Sequence, residues 1–245
     1  ELPFELKSWN WQTIKSTLRP SGMFGMIAAQ GFLLFQVPLL IFQWLLGPEM
    51  VVIFSVSRTI FGTARQILSA ITFAISPEIT FSYGSGNFDK LLEIFHYSEK
   101  LVFSLIVTAN FSAYLFSPVL LRLWMHKPQL FDPALYGLMA LISSAMSMKE
   151  HKLNFQFATN EHEVLSQIVF WLNVAINLMG IPATMRFGVE GFMVVWLLAE
   201  LAQMFLIYRE NRKLFNYHDS LSLKPVFKLI ANMAASLVFC FALLR

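Results

Sequence analysis

Long apolar runs, cut by short polar turns, set the plan of this chain. The runs cover about residues 21–46, 49–76, 88–117, 132–158, 164–183, 189–209 and 225–244. Each reaches the roughly 20 residues a helix needs to cross hydrocarbon. The punctuation between them is turn chemistry: Gly47-Pro48, then Ser76-Pro77 with Tyr83-Gly84-Ser85-Gly86-Asn87, then the stretch from Pro118 to Pro133. Thr159–Glu163, Arg186-Phe187-Gly188 and the basic Arg209–Lys213 complete it. The pattern predicts an all-α fold, a polytopic membrane bundle of about seven transmembrane helices.

Local features refine these runs. Pro20 and Gly22 are expected to open the first helix, and Pro38 to kink it. Residues 88–100 are amphipathic and are expected to lie at the membrane interface before the helix enters lipid near Leu101. In 132–158, Ser143, Ser147, Glu150 and Asn154 recur at spacings of four, three and four, hence on one helix face. Asn173, Asn177 and Gly180 form a smaller polar stripe, suited to interhelical hydrogen bonds.

Composition decides the solvent. Hydrophobic residues make up 56% of the 245 and charged residues 13%, about half the charged share of an average soluble domain. Such a chain cannot clothe itself in water-compatible surface, which excludes an ordinary soluble enzyme or binding domain. The net charge of +3 calls for no nucleic-acid partner, because basic residues of membrane proteins gather in cytoplasmic loops. With the N-terminal segment cytoplasmic, Lys7, Lys15, Arg19, Lys90, Lys100, Arg209, Arg212, Lys213, Lys224 and Lys228 fall inside. Arg122, Lys127, Arg186 and Arg245 fall outside, so ten against four fix the orientation.

Three regions follow: an amphipathic cytoplasmic segment at 1–19, rich in Trp and Lys, a six-helix membrane lobe at 20–215, and an additional span at 216–245. The chain opens on Glu1 and stops directly after an apolar run, as expected for part of a longer protein.

The run 49–76 carries the most unusual chemistry. Arg58 and Arg65 stand inside its apolar body. At about 100° per residue they point within roughly 20° of each other, about 10 Å apart along the axis. Ser55, Thr59, Gly62, Gln66, Ser69, Thr72 and Ser76 share that side, and Val52, Ile53, Ile60, Phe61, Leu68 and Ile71 cover the rest. An intramembrane arginine costs about 2.5–3.5 kcal/mol on insertion scales, so such residues face a cavity or a partner. A guanidinium stays charged and donates a planar fork of hydrogen bonds, which suits phosphate. The competing reading is an ion pair, with Glu150 or Glu200 as partner.

Glu200 lies deep in the run 189–209, offering a proton or cation site or a partner for an arginine; Glu150 offers the same choice. Lys149, Glu150 and Lys152 either line the cytoplasmic end of a cavity or mark where the helix emerges into solvent, the latter expected above all for Lys152. The five histidines show no metal-ligand spacing, and the single Cys240 excludes an internal disulfide and a cysteine-based zinc site. No nucleophile elbow, HExxH, P-loop or GxGxxG motif occurs. No catalytic residue, metal or cofactor is called for.

Some of these residues also form a recognisable set: Leu46-Gly47-Pro48-Glu49, Ser57-Arg58-Thr59, Pro77-Glu78, Tyr83-Gly84 and Gly86-Asn87. Asn160-Glu161-His162 and Gly188-Val189-Glu190-Gly191 add weaker features. Over about residues 5–215 the chain resembles the second half of Wzx-type polysaccharide, or O-antigen, flippases of the multidrug/oligosaccharidyl-lipid/polysaccharide exporter superfamily. The resemblance implies two six-helix lobes around a central cavity that opens alternately to either side, of which this chain would supply the second lobe plus one span.

It further implies a bacterial inner-membrane protein that moves polyprenyl-diphosphate-linked oligosaccharide for surface polysaccharide biosynthesis. Its partners would be that lipid-linked substrate, membrane lipid and other membrane proteins of polysaccharide assembly. Arg58 and Arg65 would attract the diphosphate, while Ser55, Thr59, Gln66 and Ser69 line the cavity. Glu150 or Glu200 would serve ion coupling or pairing. One rival is an ion-coupled small-molecule or multidrug antiporter of the same superfamily, against which the arginines argue. The other is a membrane glycan polymerase or ligase, which needs a polar external catalytic loop that the short link near Arg122–Asp132 does not provide.

Overall fold

The structure, a computed structural model, describes residues 11–161, 163–215 and 231. These form seven α-helices: α1 Trp11–Phe35, α2 Val37–Leu45, α3 Pro48–Ala74, α4 Ser76–Gly84, α5 Phe88–Leu120, α6 Pro133–Ala158 and α7 Glu163–Leu214. A π-helical turn, Leu121–Met125, and a short 3-10 turn, Pro128–Leu130, link α5 to α6. No strand occurs among the described residues. The expected span at 225–244 and residues 1–10 of the amphipathic segment lie outside them, Ala231 apart.

Prolines and glycines set the breaks. The break at Gln36 separates α1 from α2, because Pro38 has no N–H to return to the preceding turn. Pro77 does the same between α3 and α4. Two expectations change at such positions. The first helix does not open at Pro20 but runs through it from Trp11, and α5 runs through Pro118 to Leu120. A proline removes a single ladder hydrogen bond, and around Pro118 a continuous apolar run supplies enough packing to carry the helix past it. The stretch before the Tyr83 turn is itself helical, as α4.

α7 is 52 residues long, which would be about 78 Å if straight, but it folds back at Gly188. There φ is +67° and ψ −156°, a conformation closed to side-chain-bearing residues. The two arms pack closely: a Cβ added at Gly191 would sit 2.4 Å from the carbonyl oxygen of Ala183. Asn173 of one arm accepts from Gln203 of the other at 3.2 Å.

Contacts between helices fix their directions. Phe61, Arg65 and Thr72 of α3 meet Tyr136, Glu150 and Asn154 of α6 in the same order, so α3 and α6 run parallel. Phe95 and Glu99 of α5 meet Phe155 and Lys152 in reverse order, so α5 is antiparallel to both. The second arm of α7 follows α6, with Glu200 by Lys149 and Asn211 by Gln156. The turns at Tyr83–Phe88 and Thr159–Glu161 meet at one end, where the Tyr83 hydroxyl donates to Glu161 at 3.3 Å.

α6 is the axis of the bundle, packed against α3, α4, α5 and α7. Its middle and C-terminal half carries serines, lysines, a histidine and amides, nearly all buried. The outside is oily. Trp44 is 73% exposed and Leu123 70%, whereas Lys152 is 1% exposed and Glu200 fully buried. That distribution inverts the order of a water-soluble fold. Two described helical stretches, Phe88–Met125 and Glu163–Leu214, are long and apolar enough to cross a membrane.

Candidate functional site

The groove between α3 and α6 holds two adjoining cavities. The larger, about 390 Å³, is lined by Arg58, Thr59, Gln66 and Arg65 of α3, Ser143 of α6, and the Phe35 and Trp196 rings, among others. The smaller, about 220 Å³, is lined by Ser69 and Thr72 of α3 with Ser147, Glu150 and Asn154 of α6. Arg65 belongs to both walls. The polar stripes expected on 49–76 and on 132–158 therefore face each other across one groove. Of the expected lining residues, Thr59 and Gln66 line the larger cavity and Ser69 the smaller, while Ser55 lines neither. It is half-buried, with its carbonyl accepting the Thr59 hydroxyl.

The two arginines converge on Phe35, the last residue of α1. The Arg58 guanidinium lies 5.8 Å from the ring centroid and that of Arg65 5.2 Å. Phe35 thus offers both cations an aromatic face. Arg58 also donates to the Phe35 carbonyl, and it has no carboxylate partner among the described residues. Arg65 does have one: it pairs with Glu150 across the groove. Neither side chain of that pair is sealed away, with 20% and 31% exposed. Among the described residues, then, the pairing alternative holds for Arg65 and not for Arg58.

Glu200 corrects a second expectation. Its partner is not an arginine but Lys149, 2.6 Å away, and the Trp196 indole N–H donates to it at 3.2 Å. Lys149 continues the chain by donating to Gln203 at 2.9 Å. Lys152 corrects a third. Instead of emerging into solvent it is buried, paired with Glu99 of α5 and 5.0 Å from the Phe95 ring. Of residues 88–100, Leu91, Phe95, Ser98 and Glu99 are packed into the bundle, while Asp89, Lys90, Glu93, Tyr97 and Lys100 stay exposed.

Three neighbouring charges on α6 thus reach three different helices. Lys149 pairs with α7, Glu150 with α3 and Lys152 with α5. Successive helical residues point about 100° apart, so closely spaced charges on a central helix serve partners on every side. Sequence reading missed Glu99 and Gln203. The available signal was balance: a buried charge in an apolar run demands an opposite one nearby. Beside the Lys152–Glu99 pair, His151 is fully buried, with its Nε2 3.3 Å from the Ser98 hydroxyl.

Chemically, the larger cavity presents two cations, hydroxyls, an amide and aromatic rings, and among the described residues no carboxylate lines it. It can bind an anion with a polar appendage. No group of three His, Cys, Asp or Glu positioned to hold a metal occurs among the described residues. Comparison of the chain with protein-family models, curated proteins and solved structures returns no match.

Proposed function

We propose that this protein is a membrane transporter of the flippase type. It moves a polyprenyl-diphosphate-linked oligosaccharide across the bacterial inner membrane for surface polysaccharide biosynthesis. α1 with α2, α3, α5, α6 and the two arms of α7 make six spans, and residues 225–244 a seventh, with the N-terminal segment cytoplasmic. The oily exterior and charged interior support a lipid surrounding. The alternating helix directions support the span order.

One observation carries the substrate class. Arg58 stands at the wall of the larger cavity with no carboxylate partner among the described residues, beside Arg65 on the same aromatic ring. An uncompensated guanidinium in such a place favours an anion, and diphosphate matches its fork. Thr59, Gln66 and Ser143 offer hydrogen bonds to the first sugars. The lipid tail stays in the bilayer while the head group crosses, so no covalent step is needed. The test is glycan export by the intact protein carrying Arg58→Ala with Arg65→Ala. Loss of export is expected, and unchanged export would remove the anion role.

A second reading rests on the smaller cavity, where Glu150 stands with the Phe73 and Phe157 rings. A carboxylate among aromatic rings suits an organic cation, as in an ion-coupled small-molecule antiporter. Drug resistance conferred by the protein without any glycan defect would place this reading first.

A further inference from the structure

The two cavities meet at a salt bridge, and that junction carries an inference that rests on the anion-cavity reading. Among the described residues Arg65 alone is common to both linings, and Glu150 holds it from the smaller cavity's side. We infer that Glu150 is a built-in competitor for the anionic head group: substrate bound at Arg58 displaces Glu150 from Arg65, and this exchange sets affinity and opens the junction between the cavities.

The geometry supports the exchange in three ways. First, the pair is only partly covered, so an incoming anion can reach the Arg65 fork from the larger cavity without unpacking the core. Lys149–Glu200 and Lys152–Glu99, by contrast, are sealed, with every side chain 7% exposed or less. Second, Arg58 and Arg65 share the Phe35 face, so an anion seated at Arg58 lies beside the second guanidinium. Glu150 holds Arg65 through Nη1 alone, so the opposition is one of charge: a second anion seated on the same guanidinium is repelled by the Glu150 carboxylate until that carboxylate withdraws. Third, the cation nearest in sequence to Glu150 among the described residues attracts it but is not free to take it over. Lys149, its neighbour, is already held by Glu200 and Gln203. Displaced Glu150 therefore remains facing the smaller cavity, near the Ser69, Ser147 and Asn154 polar groups. Glu150 is a specificity-determining residue in this scheme. It discourages weak or singly charged anions, which cannot replace a carboxylate at Arg65, and admits a diphosphate that can engage both arginines.

The test is calorimetric binding of inorganic pyrophosphate to the intact purified protein in lipid nanodiscs. Glu150→Gln removes the competitor and keeps the side-chain shape. Affinity is expected to rise about tenfold, within the usual range of couplings between sites. Glu150→Asp keeps the charge but shortens the reach, and is expected to bind with an affinity between wild type and Glu150→Gln. It also carries the test if the Gln variant does not fold. Arg65→Gln is expected to cost more affinity in the Glu150→Gln background than in wild type, since only there is Arg65 free from the start. If Arg58→Ala weakens pyrophosphate binding while Glu150→Gln and Glu150→Asp match wild type, the competitor role is wrong and the anion cavity stands. If wild type and Arg58→Ala are alike, or neither binds, the anion cavity and the competitor role fall together.

Discussion

A heavy energetic demand on this bundle falls on the pair Lys149–Glu200. Glu200 is fully buried and Lys149 4% exposed, and the two are 2.6 Å apart. Glu200→Gln leaves the buried lysine charged without its ion-pair partner, with the Gln203 amide as acceptor and the Glu150 carboxylate, itself paired with Arg65, as the nearby negative charge. Breaking a buried pair from one side costs about 3–5 kcal/mol, because a charge is stranded rather than because the pair was strong. Gln203 still accepts from Lys149, so the lower end, about 3 kcal/mol, applies. For a chain of this size each kcal/mol moves the melting temperature by roughly 2–4 °C, giving a drop of about 6–12 °C.

Lys149→Met strands the carboxylate with only the Trp196 N–H as donor and is expected to cost as much. The double variant Lys149→Met with Glu200→Gln removes both charges and is expected to recover most of the loss. Intrinsic fluorescence melting in detergent measures all four proteins. A coupling energy of about 2 kcal/mol or more between the substitutions is expected. If Glu200→Gln melts within about 2 °C of wild type and the double variant is no better than either single, the pair is not buried as described.

Three further outcomes follow from the fold. Gly191→Ala places a methyl against the Ala183 carbonyl, backbone that cannot swing aside, and is expected to destabilise by about 1–3 kcal/mol, read as a lower melting temperature. Asp132 caps α6 by accepting from the Ala134 and Leu135 N–H groups at 2.9 and 3.2 Å. Asp132→Ala is expected to cost about 1 kcal/mol in the same melt, with Asp132→Asn restoring most of it. In a Cys240→Ser background, a cysteine at Ser85 is expected to react with an impermeant thiol reagent only from the cytoplasmic side. One at Gln129 should react only from the outer side, and the reverse pattern would invert the proposed orientation.

Much of this arrangement could be read along the chain, for physical reasons that differ by element. The α6 start was legible because Asp132-Pro133 is a cap followed by a first-turn proline. The facing stripes of α3 and α6 were legible because helical periodicity places Arg58 with Arg65, and Ser147 with Glu150 and Asn154, whatever lies opposite. The pairing was not. Periodicity gives a direction but no neighbour, so Arg65 and Arg58 read alike in the sequence although Glu150 meets only the first. Lys152 read as a boundary residue because charge in an apolar run signals either an exit or a buried partner, and the partner, Glu99, is 53 positions away. Continuation through Pro118 was hidden for a related reason: a proline weakens a helix locally, and packing from elsewhere decides whether that suffices to end it.

The most direct measurement is transport itself. The intact protein in proteoliposomes, supplied on one face with fluorescent polyprenyl-diphosphate-linked oligosaccharide, is expected to bring the glycan within reach of an impermeant lectin on the other face. The Arg58→Ala, Arg65→Ala variant, folded to the same melting temperature, is expected to leave it at the level of empty liposomes. Equal transfer by the variant and wild type, or none by either, would contradict a cavity built to carry an anionic lipid head group.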